Sequence, residues 1–137
     1  MTYKQTLKIL IAEDDEESLL LLENYFSEFG KCDMVKSGKE AYQAFLKAIE
    51  DDFSYDLISL DINMPEMNGH EVLKKIRQKE KKIQDKDSIA CKIMMTTASV
   101  DADNFIKAMK DNCDAYIGKP VRKNFIKQKL KELNLIS

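Results

Sequence analysis

The chain has 137 residues, of which 44% are hydrophobic and 34% charged, so it can bury the core of one ordinary globular domain. Its formal net charge of −2 excludes the overall field that would favour nucleic acid or an anionic membrane as the partner. No apolar run is long enough to span a bilayer or to serve as a signal peptide, and the three cysteines show no paired spacing, so we expect a cytoplasmic protein with reduced thiols.

The first part of the sequence predicts two strand–helix units. Leu7–Ala12 is a compact apolar run typical of a buried strand, and it ends on the acidic cluster Glu13-Asp14-Asp15. A helix follows whose positive N-terminal dipole suits the last of these acids, and we assign its end to Gly30. Residues 32–35 are predicted as a second strand. The spacing Ser37-Gly-Lys-Glu40 is that of a capping box, which begins a second helix.

The rest of the sequence repeats this alternation three times. Residues 56–61 form a short apolar run that ends on a carboxylate, and turn residues lead from it to a helix after Gly69. That helix runs into the charged segment 77–87, which we predict to be a solvated helix end and an extended loop. The remaining predicted elements are a strand at residues 89–97, a helix at 101–111, a strand at Ala115–Gly118 and a final helix.

Each predicted helix carries apolar residues at helical spacing. In chain order the five stripes are Leu19, Leu22, Phe26 and Phe29; Ala41, Phe45, Ala48 and Ile49; Val72, Leu73 and Ile76; Phe105, Ile106 and Met109; and Phe125, Ile126, Leu130 and Leu133. Met94, Met95 and Met109 are predicted to fill the core, and His70 to be solvated on the third helix. A lone histidine without nearby ligands also argues against a zinc site.

Five strand–helix units joined by short links predict an α/β fold, a doubly wound parallel sheet with helices on both faces. No repeat, linker or second hydrophobic core is evident. We therefore expect residues 1–137 to form a single domain with no output domain. The alternation alone leaves the order of the strands open.

Four predicted strands end on special polar residues, namely Glu13 with Asp14, then Asp61, Thr97 and Lys119. The carboxyl ends of parallel strands meet at one edge of the sheet, so we expect these side chains to converge there. Three carboxylates in one place would repel, and a divalent cation bound by oxygen, such as Mg²⁺, would relieve the repulsion. The lysine and the hydroxyl add the groups that hold a phosphoryl group, and Asp61 would be the nucleophile.

These residues lie in motifs that resemble the receiver domain of two-component response regulators, and in particular the stand-alone chemotaxis type. The motifs are Ile-Leu-Ile-Ala-Glu-Asp-Asp, Asp-Leu-Ile-Ser-Leu-Asp-Ile-Asn-Met-Pro-Glu-Met-Asn-Gly, Met-Met-Thr-Thr-Ala and Asp-Ala-Tyr-Ile-Gly-Lys-Pro. The resemblance implies a flavodoxin-like fold with sheet order 2-1-3-4-5, flanked by five helices. It also implies a phosphorylation-activated signalling switch, and not an enzyme that turns over a separate substrate.

The resemblance also implies a metal site and a phosphoacceptor. Asp61 matches the residue that takes a phosphoryl group from a kinase phosphohistidine. Asp14 matches the direct Mg²⁺ ligand, Glu13 the acid that acts through water, and Asn63 the position whose backbone carbonyl binds the metal. An alignment shifted by one residue would make Asp14 and Asp15 the acidic pair. We prefer Glu13 and Asp14, because the pair should follow the apolar strand directly.

Three further matches describe the switch. Thr97 matches the hydroxyl that closes on the phosphate, Lys119 the lysine that pairs with it, and Tyr116 the aromatic side chain that moves inward. The implied partners are a sensor histidine kinase or a phosphotransfer protein, and a downstream protein bound by the surface around Tyr116 and the helix at 101–111. We expect a monomer. The stretch between the third helix and the fourth strand is longer than usual for the family.

Two other functions are compatible with parts of the pattern. A pseudo-receiver would use the same fold only for docking, and the full set of acidic, hydroxyl and lysine residues argues against it. A phosphatase with an aspartyl-phosphate intermediate would need a second aspartate two residues after the nucleophile, where this chain has Asn63. An FMN-binding flavodoxin fits poorly, because acids replace the expected phosphate-binding loop.

Overall fold

The computed structural model describes residues 6–83, 90–99 and 101–137, and strands and helices alternate throughout these ranges. The strands are β1 (Leu7–Ala12), β2 (Gly30–Val35), β3 (Leu57–Asp61), β4 (Lys92–Thr97) and β5 (Ala115–Gly118). The helices are α1 (Glu16–Phe26), α2 (Gly38–Glu50), α3 (Gly69–Ile83), α4 (Ala102–Lys110) and α5 (Lys123–Glu132). All pairings are parallel and the sheet order is β2-β1-β3-β4-β5, so the predicted fold class and strand order are confirmed.

The core has two layers because both faces of the sheet are covered. Along β1, Leu10 and Ala12 pack toward α2 and α3, while Ile9 and Ile11 pack toward α1 and α5. Burial on both faces explains why β1, β3 and β4 are mainly apolar, whereas the edge strand β2 carries the exposed residues Lys31 and Asp33. None of the helices in the described ranges combines the length and the hydropathy needed to cross a membrane.

Gly30 does not end the first helix, as the sequence predicted, but is the first residue of β2. Helix α1 ends at Phe26, with Ser27 as its C-cap. Gly30 pairs with Leu7 of β1, and a Cβ atom at Gly30 would lie 2.0 Å from the Leu7 carbonyl oxygen. A glycine is therefore required here by the close approach of two strands and not by a left-handed turn.

The charged segment predicted at residues 77–87 is less solvated than expected, at least at its first residue, Arg77, which lies within α3. The Arg77 side chain is only 13% exposed and forms ion pairs with Glu80 at 2.8 Å and Asp114 at 2.7 Å. It also donates a hydrogen bond to the Cys91 carbonyl oxygen at 2.9 Å. Helix α3 continues to Ile83, whereas positions 84–89, which include the predicted start of the fourth strand, lie outside the described residues.

Two predictions about burial are wrong. His70 is buried, with 4% of its surface exposed, because it finds a partner in α4. Met109 is 47% exposed and so does not fill the core, although Met94 and Met95 are buried as predicted; Phe125 of α5 is also 47% exposed. The apolar stripe of α4 (Phe105, Ile106 and Met109) faces outward, and Ala108 is the one buried residue of this helix. The three cysteines lie in the described ranges and form no disulfide.

Candidate functional site

Three predicted site residues meet at the carboxyl edge of the sheet. Glu13 follows β1, Asp61 ends the adjacent β3, and Lys119 follows β5. Lys119 Nζ donates to both carboxylate oxygens of Glu13, at 2.9 and 2.8 Å, and lies 3.5 Å from Asp61 Oδ1. The prediction that these strand ends converge is therefore confirmed for these three side chains.

The carboxylates of Glu13 and Asp61 are both buried. Glu13 is fully buried and Asp61 is 3% exposed. Burial raises the pKa of Glu13 to about 7, a rise that the Lys119 hydrogen bond opposes and the Asp61 charge reinforces. Burial also raises the pKa of Asp61, against the attraction of Lys119. A single lysine therefore does not fully offset the cost of burying two carboxylates.

Lys119 is the cation between them. Its burial acts to lower the pKa of the ammonium group, but the hydrogen bond to Glu13 and the charge of Asp61 act in the other direction and prevail. The pKa of Lys119 is therefore raised. The side chain is 20% exposed, so the ammonium group lies at the mouth of the site.

Asp14 completes an acidic group with Glu13 and Asp61. Each of the three residues offers a carboxylate oxygen, and these oxygens lie within 4.8 Å of one another. Asp14 is exposed, so one side of the group is open to solvent. Three carboxylates around an open position form a donor set suited to a hard divalent cation.

Asp15 does not join this group. Its Oδ2 accepts hydrogen bonds from the Ser18 backbone N–H at 3.0 Å and from the Ser18 hydroxyl at 2.7 Å. Asp15 is thus the N-cap of α1, as the sequence predicted. This role favours Glu13 and Asp14 as the acidic pair over the shifted alignment.

The segment after Asp61 returns to the strand end. The backbone N–H of Asn63 points to Asp61 Oδ1 at 3.4 Å, and the Asn63 side chain is exposed. Gly69 donates its backbone N–H to the Ile62 carbonyl at 2.9 Å, and a Cβ atom on Gly69 would lie 2.5 Å from the Asp61 carbonyl oxygen. The start of α3 therefore packs directly against the backbone of Asp61.

Thr97 and Tyr116 lie at the same edge but do not contact the acids. The Thr97 hydroxyl is buried, donates to the Ser99 carbonyl at 3.0 Å and accepts from the Ser99 N–H at 3.1 Å. The Tyr116 hydroxyl is buried and makes no hydrogen bond of ordinary geometry within the described part of the chain. The Tyr116 ring contacts Phe105 of α4 edge-on, with a centroid distance of 5.4 Å.

Sequence reasoning missed two features of this edge. Thr96 pairs with Asp61 in the sheet, and its buried hydroxyl has no partner in the described residues. The only sequence signal for this hydroxyl was the pair of adjacent threonines, Thr96 and Thr97. The second missed feature is a cavity of about 340 Å³ beside Lys119. Its lining includes Leu21 and Leu22 of α1 and Pro120 and Val121 after β5, two segments that are distant in the sequence.

Comparisons with known proteins agree with this geometry. The sequence profile of the family described as "Response regulator receiver domain" matches residues 9–131. The chain is 33% identical over 129 residues to a chemotaxis protein CheY homolog from Campylobacter jejuni, a match that covers 93% of this chain and 92% of that protein. It is 34% identical over 126 residues to hybrid signal transduction histidine kinase L from Dictyostelium discoideum, covering 91% of this chain but 7% of the kinase.

Other curated relatives are also longer than this chain. It spans between 42% and 52% of the length of several proteins described as regulatory or transcriptional regulatory proteins. Among solved structures, a CheY-like response regulator receiver domain protein from Methanospirillum hungatei is 27% identical, with a TM-score of 0.75 and coverage of 93% of each chain.

Proposed function

Because the chain belongs to the response regulator receiver family, we propose that it is a signalling switch controlled by phosphorylation of Asp61. The observation that carries this proposal is the position of the Asp61 carboxylate. It ends β3 with 3% of its surface exposed, lies 3.5 Å from Lys119 Nζ and shares an acidic group with Glu13 and Asp14. A carboxylate placed between a cation and a metal-binding group is suited to accept a phosphoryl group.

The donor in this proposal is a phosphohistidine of a sensor histidine kinase or a phosphotransfer protein. A carboxylate oxygen of Asp61 forms a bond to phosphorus while the bond from phosphorus to the donor's imidazole nitrogen breaks. The electron pair stays on that nitrogen, and a ring already protonated on its other nitrogen leaves as neutral imidazole. Lys119 then pairs with the oxygens of the transferred group, since its ammonium group already lies beside Asp61.

We propose Mg²⁺ as the cofactor, bound by Glu13, Asp14, Asp61 and the backbone carbonyl of Asn63, with Glu13 acting through water. The donor set fits because it consists of oxygen atoms and because two buried carboxylates have one lysine between them to offset their charge. When bound, Mg²⁺ neutralises charge on the carboxylates and on the phosphoryl oxygens. The exposed side of Asp14 leaves room for the donor to approach.

The switch in this proposal is a change of hydrogen-bond partner by the Thr97 hydroxyl. In the unphosphorylated protein the Thr97 hydroxyl is hydrogen-bonded to the backbone of Ser99. A phosphoryl group on Asp61 offers a charged acceptor at the adjacent strand end, and the hydroxyl exchanges its neutral partner for it. Tyr116 lies on the neighbouring strand and contacts Phe105, so this exchange alters the packing of α4.

We propose that the downstream partner binds an α4 surface formed by Phe105, Ile106, Met109 and Tyr116. The first three side chains are 45%, 60% and 47% exposed. Apolar side chains exposed together on one helix face are typical of a protein-binding surface. Because Phe105 also contacts Tyr116, the shape of this surface depends on the state of the switch.

The test is the intact mass of the protein after incubation with acetyl phosphate, with and without Mg²⁺. The wild type is expected to gain one phosphoryl group that hydroxylamine removes, and only when Mg²⁺ is present. Asp61→Asn is expected to gain none. Asp15→Asn is the matched control, since Asp15 caps α1 and should leave phosphorylation intact. Equal gain by Asp61→Asn and wild type would refute the proposal.

A further inference from the structure

A hydrogen bond joins the start of α3 to the first turn of α4. His70 Nε2 lies 2.9 Å from Asn104 Oδ1, and the His70 side chain is buried. The amide nitrogen of Asn104 donates to Asp101 Oδ2 at 2.8 Å. This second contact orients the amide so that its oxygen faces the imidazole, which makes His70 Nε2–H the donor.

The other ring nitrogen of His70, Nδ1, is buried and has no hydrogen-bond partner among the described residues. A leucine at this position would fill the same space without leaving a buried polar atom unsatisfied. Packing therefore does not explain the histidine. What the histidine adds is a directional bond to Asn104.

That bond matters because α4 is held weakly. Among its nine residues Ala108 alone is buried, and three large apolar side chains point to solvent. Few buried contacts mark an element that moves at low free-energy cost. One hydrogen bond at its first turn is then a substantial part of what fixes its position.

The bond also lies on a continuous line of contacts from Asp61 to the α4 surface. Gly69 packs against the Asp61 backbone, and His70 is the next residue. Asn104 is followed by Phe105, whose ring contacts Tyr116. Each step is a direct contact or a covalent neighbour, as physical coupling between two sites requires.

We propose that the His70–Asn104 hydrogen bond is a latch that holds α4 in its unphosphorylated position, with His70 as a positioning residue for the switch. This inference rests on the proposed function. When Thr97 turns toward a phosphoryl group on Asp61, the segment after β4 follows it. The first turn of α4 is drawn away from α3, and the hydrogen bond between His70 and Asn104 breaks.

The test is the affinity of the protein for beryllium fluoride with Mg²⁺, a non-covalent mimic of the phosphoryl group. His70→Leu removes the latch without leaving an unsatisfied nitrogen. We expect its affinity to rise about fivefold, the factor that corresponds to one net hydrogen bond of about 1 kcal/mol. Its stability in urea should be unchanged or higher. Asn104→Ala should give a similar rise, and the double variant no more than either single variant.

Two readouts separate this inference from the proposed function. If the wild type fails to bind beryllium fluoride, the proposed function and the latch both fall. If the wild type binds and His70→Leu binds equally well, or the two substitutions add independently, the latch alone is refuted. The chain has a single histidine, so ¹⁵N-labelled imidazole gives an unambiguous signal. Its Nε2–H resonance should change on binding, and an unchanged resonance would also refute the latch.

Discussion

Replacing Glu13 with glutamine is expected to remove most of the pH dependence of stability that the protein shows without divalent cations. Burial raises the pKa of this carboxyl from its ordinary 4.5 to about 7 in the folded state. Between these values the folded protein holds a proton that the unfolded chain releases, so stability falls as the pH rises through the window. The shift corresponds to about 3 kcal/mol, all of it lost above pH 7.

The assay is urea unfolding in the presence of EDTA, monitored by circular dichroism at a series of pH values from 4.5 to above 7. Glu13→Gln should keep only the smaller dependence that arises from Asp61, whose pKa is also raised. Glu17→Gln, the same change at an exposed acid, should behave as the wild type. Above pH 7, Mg²⁺ should restore stability to the wild type more than to Glu13→Gln. Equal pH dependence in Glu13→Gln and the wild type would refute this reasoning.

Three further predictions concern the scaffold. Arg77→Met leaves the partly buried carboxylates of Glu80 and Asp114 without their cation and should lower the free energy of unfolding in urea by about 2 to 4 kcal/mol. Lys47→Met breaks an exposed ion pair and should lower it by less than about 0.5 kcal/mol. Similar costs for the two variants would contradict the account of the Arg77 ion pairs. Gly30→Ala places a Cβ against the backbone of β1 and should cost about 3 kcal/mol by the same assay, so a neutral result would contradict the close pairing of the strands. The third prediction concerns the order in which the thiols are alkylated, followed over time by peptide mass. Cys32 is half-buried, with a pKa raised to about 11 by burial, and should react before the more buried Cys91. The reverse order would contradict the burial of these thiols.

The strands were predictable because their signal is local. A parallel sheet buried on both faces needs continuous apolar runs, and polar residues mark where β1 and β5 stop. The same logic correctly brought Glu13, Asp61 and Lys119 together, since parallel strand ends share one edge. Strand order came only from the resemblance to a family, because hydrophobic periodicity carries no information on which strands are neighbours.

Two of the wrong predictions have the same physical cause, which is that the partner lies far away in sequence. His70 and Arg77 look solvated in their own helix. His70 is nevertheless buried beside Asn104, and the Arg77 side chain is only 13% exposed beside Asp114, partners that lie 34 and 37 positions later. The apolar stripe of α4 shows that the helix is amphipathic but not whether that face meets the core or a partner. Gly30 shows that glycine meets two different demands, a left-handed backbone at a helix end and the absence of a Cβ atom in a tight strand pairing, so its presence in a sequence does not distinguish them.

The most direct test of the central claim is to locate the phosphorylated residue in the wild-type chain. After incubation with acetyl phosphate and Mg²⁺, sodium borohydride reduces an aspartyl phosphate to homoserine, and peptide sequencing by mass spectrometry locates it. We predict homoserine at position 61 alone. Homoserine at Asp14, or a phosphoryl group on a residue that borohydride does not reduce, would contradict the assignment of Asp61 as the phosphoacceptor.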